Sequence, residues 1–514
     1  MKRVFSGFLL SFLSLWTWNS FADVSDFFLS VRDNPNALYA FLKEMPKGGE
    51  LHYHLAGGAY GETMLNLAQS NKNYCINLSS HSVYKDVRKC RDMRAYDLKH
   101  KPSLYQRILK AWSMQDFVAE NTRSGHDHFF ASFDKFLAIV TDYRAQLLAE
   151  VVQRAADQNE YYMEIMDIPD DAKSLSFAPM HFKLQNMEEH RNRLLNNPLF
   201  KRNVQRTVDK ATKAIRQSRQ LLGCAQEPEK QSCQIIVKQQ YYVLREQPLN
   251  AVFAQALNAF EAVSNSDDIV GVNLVQPEDG IISLRDYRKQ MRVFEFMHRK
   301  YPKVHIALHA GEITRDYVVP EHLRFHIREA IEVGKAERIG HGVDIGWENN
   351  AEELLRLMAE RNIAVEINLE SNRQILGVSG KQHPINYYLQ RQVPVVLSTD
   401  DEGILRTDLT AQYVAAVNEH HLDYATLRQI NRNALTYSFL PGESLWQDAA
   451  KAQRVAACTD LQSSACNNFI RHHEKARIQR NLELALQRFE NTIADYKKVS
   501  VLSTENSSHM RHPT

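Results

Sequence analysis

No stretch of the chain reads G-x-G-x-x-G or G-x-x-x-x-G-K, so the common glycine loops that cradle nucleotide phosphates are missing. No C-x-x-C occurs among the six cysteines, which argues against a thiolate-held metal. There is no low-complexity tract and no basic excess, since 63 Lys and Arg stand against 61 Asp and Glu. A chain whose main work is nucleic-acid binding carries a basic excess or stripe, so that class is set aside. Hydrophobic residues at 44% and charged residues at 24% exclude a disordered or fibrous chain. At 514 residues the chain suits two or three domains, or one large barrel with insertions.

The N-terminus reads as an address rather than structure. Lys2 and Arg3 precede a mostly apolar stretch from Val4 to Trp18, and Ser20-Phe21-Ala22 offers small residues at −3 and −1 of a cleavage site. The stretch is too short and interrupted for a membrane span. A signal peptide over 1–22 predicts a secreted or periplasmic protein, free of the membrane after cleavage. Its mature form, from Asp23, has 61 basic against 61 acidic residues. Export favours disulfides. The six cysteines fall in three local couples, predicting Cys75–Cys90, Cys224–Cys233 and Cys458–Cys466, each worth at most about 3 kcal/mol.

Eight short segments rich in β-branched or aromatic residues end in polar or Gly-containing turns. They are Gly49–Gly58, Tyr161–Asp167, Gln234–Leu244, Ile269–Gln276, Val304–Glu312, Arg338–Val343, Ala364–Ser371 and Val393–Asp401. Helical stretches such as Leu284–Lys300 and Ala351–Arg361 separate most of them. Eight strand–helix repeats predict an α/β (β/α)8 TIM barrel over 23–440. Residues 59–160 and 168–233 are longer than a crossover needs and read as insertions; a charged helical run, Arg202–Arg219, lies in the second. A helical extension follows over 441–502, with Ile478, Leu482, Leu486 and Phe489 at helical spacing for packing on the barrel. The polar tail 503–514 reads as disordered.

His52-Tyr53-His54 lies in the first strand segment, where residues i and i+2 share a face. A second such pair, His126-Asp127-His128, falls in the first insertion and reads as lining or covering a pocket rather than holding metal. Strand five ends in His309-Ala310-Gly311-Glu312, strand six holds His341, and strand eight ends in Asp400-Asp401. The C-terminal strand ends of a barrel converge on one site. His52, His54, His309 and Asp400 would form a nitrogen-rich site with one carboxylate, suited to Zn²⁺, with Fe²⁺ or Co²⁺ as alternatives. Glu312 would donate a proton, His341 would serve a water, and Asp401 would hydrogen-bond substrate. That set describes hydrolytic attack on an electrophilic carbon with proton delivery to a ring nitrogen.

The stretches Met45–His54, His309–Glu312, Arg338–Gly342 and Ser398–Asp401 resemble the adenosine deaminase family of metal-dependent hydrolases. The export signal, the first insertion with its cysteine couple and Tyr162-Met163-Glu164-Ile165 resemble, more loosely, its secreted growth-factor branch. The resemblance implies one zinc ion per chain on His52, His54, His309 and Asp400. It implies attack by zinc-bound hydroxide at C6 of a 6-aminopurine nucleoside, which releases ammonia and inosine or an analogue. Glu312 would protonate N1, His341 would serve the water, and Asp401 would accept from protonated N7. Two positions depart from the family pattern. Ala56 replaces an Asp that binds ribose, and Gln276 stands where a Gly backbone reaches N3 of the purine. The competing readings are another metal-dependent amidohydrolase on the same barrel, and a secreted binding or signalling protein that keeps the barrel. A homodimer formed through the insertions stays open.

Overall fold

The computed structural model describes residues 23–508, apart from 87 and 121; the expected signal segment lies outside this range. Eight strands stand side by side in chain order. They are β1 (Glu50–His54), β2 (Tyr162–Asp167), β3 (Ile236–Leu244), β4 (Ile269–Val275), β5 (His305–Ala310), β6 (Arg338–His341), β7 (Ala364–Ile367) and β8 (Val395–Leu397). Every pairing within the sheet is parallel. Strands of this kind are apolar on the face that meets the surrounding helices. In β5, Ile306, Leu308 and Ala310 join the main hydrophobic core, while His309 turns inward.

Closure comes from chain beyond β8. The amide of His54 donates to the Asp400 carbonyl at 3.0 Å, and the Asp400 amide donates to the His52 carbonyl at 3.2 Å. Tyr53 and Asp400 therefore form a parallel bridge across the seam. The backbone link that completes the barrel uses the same residues whose side chains were singled out from sequence.

The strands are shorter than expected, for local reasons. Gly49–Gly58 yields a strand only to His54, because Leu55–Gly58 turns into a helical loop. A Cβ on Gly57 would meet Asp401 Oδ1 at 1.7 Å, so only glycine fits there. Ala364–Ser371 stops at Ile367, where the chain turns into the helix Leu369–Leu376. The helix Leu137–Asp157 is the first crossover, so the true insertion ends before it. It holds a three-stranded antiparallel sheet, Tyr74–Ile76 with Val83–Lys85 and Met93–Arg94, and the helix Gly125–Phe133. The charged run in the second insertion is likewise a crossover helix, Pro198–Leu221. It buries Phe200, Asn203, Thr207, Ala211, Ala214 and Ser218 along one stripe.

All three expected disulfides are present. Beyond the barrel, the pair Cys458–Cys466 staples a small cluster with Leu445, Trp446 and Ile470. The long helix Glu474–Ser508 buries Ile478, Leu482 and Leu486 against Leu51, Tyr162 and Val396, as the spacing predicted. It continues past Ser503 to Ser508, where the polar composition suggested a structureless tail; adding a residue to an existing helix closes one hydrogen bond without a new nucleus. Among the described residues no helix is long and apolar enough to cross a membrane.

Candidate metal centre and pocket

His52 and His54 both face the barrel mouth, because β1 alternates. Leu51 packs outward and Glu50 points inward to accept from the amide and hydroxyl of Thr399. Around them gather His309 from β5, His341 from β6 and Asp400 from beyond β8. His52 Nε2 lies 3.4 Å, and His54 Nε2 3.3 Å, from Asp400 Oδ1. His54 Nε2 and His309 Nε2 are 3.2 Å apart. Donors bound tetrahedrally to one zinc-sized ion sit roughly 3.3–3.5 Å from each other. Two overlapping donor groups share Asp400: one with His52, His309 and His341, the other with His54 and Asp401.

The residues behind these donors set their protonation. His52 Nδ1 is 2.7 Å from the Glu366 carboxylate, an acceptor, so it carries hydrogen and leaves Nε2 as a lone pair toward the centre. Nε2 is buried and faces the Asp400 carboxylate, 3.4 Å away. His309 Nδ1 is 2.9 Å from Asn273 Oδ1, which also accepts from the His309 and Leu274 amides, so its Nε2 is likewise a bare acceptor. Ser371 donates to Asp400 Oδ2 at 2.7 Å. Such outer partners orient metal-binding groups and fix their tautomers. Lone pairs converging beside a carboxylate are a donor set that suits a divalent cation.

Burial lowers His54 to about 3 and His341 to about 4, so both are neutral at physiological pH. His309 is pushed well below the usual range, first by burial and then by His52 and His54. Burial also works against charge on His52, but hydrogen bonds and attraction from Asp400 and Glu366 raise it to about 10. Without a cation, a proton is what this pair of acids draws in. Glu312 is raised well above the carboxylate range by burial, then by Asp400 and Glu278. Its Oε1 sits 3.7 Å from His341 Nε2. Asp401 is raised by burial and by Asp400, and its Oδ1 is buried without a hydrogen-bond partner among the described residues.

Strain marks the same strand ends. His341 (φ 66°), Asp400 (φ 67°) and Gln276 (φ 92°) hold positive φ without being glycine. Each such residue costs on the order of 1–3 kcal/mol and persists where the surroundings over-determine it. At Gln276 the backbone keeps a glycine-like shape, while its side-chain oxygen accepts from the Glu246 amide at 2.9 Å.

Several residues that shape the site had no role assigned from sequence. Arg338 bonds Glu164 and Glu366 at 2.6 Å each, within the barrel, and through Glu366 reaches His52. Glu366 sits in Ala364-Val365-Glu366-Ile367, and Asn273 in a similar apolar run. A charged or amide side chain inside an apolar strand was the available signal, since such groups are buried only when paired.

A cavity of about 390 Å³ opens onto the donors. Its lining includes His54, Ala56, Tyr242, Gln276, Glu312, His341, Asp400 and Asp401, so the sequence-predicted residues meet in one place. His52 stands behind them, fully buried. The helix Gly125–Phe133 roofs the cavity with Phe129, Phe130 and Phe133. Its two histidines bind no common centre. His126 Nε2 pairs with Asp279 at 3.1 Å and stacks on Tyr317, while His128 bonds the Ser113 carbonyl at 2.8 Å and stacks on Phe117.

An eight-stranded parallel barrel with nitrogen and carboxylate donors at its C-terminal mouth defines a metal-dependent hydrolase type of protein. The sequence profile described as Adenosine deaminase matches residues 109–447, and the chain belongs to the adenosine deaminase family. An adenosine deaminase of Klebsiella pneumoniae subsp. pneumoniae is 39% identical over 153 residues, 30% of this chain and 42% of that protein. The matched region thus spans less than half the length of that relative. The N6-methyl-AMP deaminase from Arabidopsis thaliana shares the fold with a TM-score of 0.50 at 20% identity, over 78% of this chain and 94% of that one. An amidohydrolase from Burkhoderia ambifaria, solved with bound Zn, gives a TM-score of 0.52 at 15% identity, over 89% and 94%.

Proposed function

We propose that this protein deaminates a 6-aminopurine nucleoside, adenosine in the first place, by hydrolysis at C6 to give ammonia and inosine. The observation that carries the reading is Glu312. It is a carboxyl whose pKa is pushed well above the usual carboxylate range by burial and by Asp400, lining the same cavity as the converging histidines and 3.7 Å from His341. Opening the purine ring to attack requires a proton at a ring nitrogen, and a neutral carboxyl supplies one. A zinc-like ion on His52, His54, His309 and Asp400 would bring the pKa of a coordinated water to about 7. Neutral His341 accepts the proton released from the attacking water. Asp401 faces N7 of the purine as its hydrogen-bond partner. The phenylalanines of Gly125–Phe133 cover the base and exclude bulk water.

The cavity lining favours a nucleoside over a nucleotide. Among the described residues that line it none is Lys or Arg, whereas Asp134, Glu246, Glu312, Asp400 and Asp401 are acidic. A phosphate there would face like charge without a cationic partner. We place the protein in an oxidising compartment, a reading supported by its three disulfides and the charged-then-apolar start of its sequence. An N-terminus at Asp23 in the exported protein would bear it out.

The test is ammonia release from adenosine with and without a chelator, alongside Glu312→Gln and His309→Ala. Glu312→Gln should keep the metal and lose turnover by about 10²–10⁴-fold, because only proton delivery is removed. His309→Ala should lose metal and activity together. Equal metal loss in both variants would overturn the division of roles.

A further inference from the structure

Ala56 has only a methyl group toward the cavity, so whatever recognises the sugar there must come from another element. The inward residues of β3 climb toward the mouth as Gln240, Tyr242 and Leu244. Gln240 is buried and spent on the Leu51 carbonyl and Glu164. Tyr242 stands above it, lining the cavity beside His54, with ring centroids 5.9 Å apart at 65°.

Its hydroxyl differs from those of other buried tyrosines in and around the barrel wall. Tyr53 bonds Glu402, Tyr162 bonds Glu164, Tyr241 bonds Asp170 and Tyr388 bonds the Gly342 carbonyl, at 2.6 to 2.8 Å. Buried tyrosines usually place the hydroxyl in this way. Among the described residues the Tyr242 hydroxyl has no such partner, although its ring is held against His54 and the cavity wall. The phenol stays protonated, because burial and the nearby Asp167 and Asp401 carboxyls raise its pKa above the ordinary value. A phenol can both donate and accept, which is what a sugar hydroxyl can answer.

We infer that Tyr242 is a substrate-binding residue, hydrogen-bonding one ribose hydroxyl and taking over the sugar recognition that Ala56 cannot provide. The inference rests on the nucleoside reading above. The purine lies toward Glu312 and Asp401, and the ribose extends past His54 toward β3. Discrimination follows, since a site built to bond a hydroxyl disfavours the analogue that lacks it.

The experiment compares wild type with Tyr242→Phe, which removes one oxygen and keeps the ring packing. Steady-state kcat/KM is measured on adenosine and on 2′-, 3′- and 5′-deoxyadenosine. Expected is a fall of about 10–100-fold with adenosine and with two of the deoxynucleosides, and of less than about 3-fold with the one that lacks the partner hydroxyl. An unchanged rate with adenosine, or an equal fall on all four substrates, would overturn the inference, the latter marking a general effect on His54 or packing. If wild type itself deaminates none of the four, the nucleoside reading fails instead.

Discussion

His52-Tyr53-His54 and His126-Asp127-His128 have the same spacing and opposite fates. In β1, successive side chains alternate, so both imidazoles of the first pair reach the Asp400 carboxylate, one at 3.4 Å and the other at 3.3 Å. In the helix Gly125–Phe133, residues two apart point to nearly opposite sides. His126 therefore reaches Asp279 and Tyr317, while His128 turns to Ser113 and Phe117. The same three-residue pattern gives converging donors that could hold a cation in one setting and two separate fastenings in the other. What distinguishes them is the period of the backbone.

The comparison can be broken by mutation. His54→Ala should remove most bound metal, measured by elemental analysis, and nearly all of the proposed deaminase activity, while the circular dichroism of the fold is kept. A variant that retained a full complement of metal would take His54 out of the centre. His128→Ala should leave metal content untouched and lower stability by about 1–3 kcal/mol in a denaturant titration, through the lost bond to Ser113 and the lost stack on Phe117. Metal loss equal to that of His54→Ala would erase the contrast.

His126→Ala should be milder. By releasing the roofing helix from Asp279, it should raise KM several-fold and leave kcat nearly unchanged. The smallest effect is its pH dependence. Burial lowers the His126 pKa, but hydrogen bonds and attraction from Asp279 and Asp127 raise it above the ordinary value overall. A histidine raised on folding contributes stability that is full below its unfolded pKa of about 6.5 and lost as pH climbs through the folded value. The difference in melting temperature between wild type and His126→Ala should therefore be larger at pH 6 than at pH 9. A difference that grew with pH would reverse the assignment.

Much of the site could be read in the chain because its donors sit at the ends of short strands in a fixed order. His309 and His341 lie at the C-terminal ends of β5 and β6, Glu312 and Asp400 just beyond β5 and β8, and a parallel barrel brings such ends together. The groups that tune the donors were harder to find. Glu366 and Glu164 are held by Arg338, and Asn273 by its bonds to His309, across strands far apart in sequence. A single acid in an apolar strand announces that a partner exists and does not name it. Strand lengths were overestimated for a related reason. Leu55–Gly58 keeps a small, apolar composition while turning helical, with Gly57 packed against Asp401, and the segment after Ile367 turns into the helix Leu369–Leu376.

By itself the sequence determined the repeat of strand and helix, the three local disulfides, the face that Glu474–Ser508 buries, and the residue types able to hold a cation. These follow from short-range periodicity and spacing, which a linear chain carries directly. Only the tertiary structure decided that Asp400 closes the barrel onto β1, that His126 and His128 part company, and that Tyr242 lines the cavity with a hydroxyl that has no partner among the described residues. Those outcomes depend on which distant groups pack together, and that is set by burying apolar surface and pairing every enclosed polar group at once.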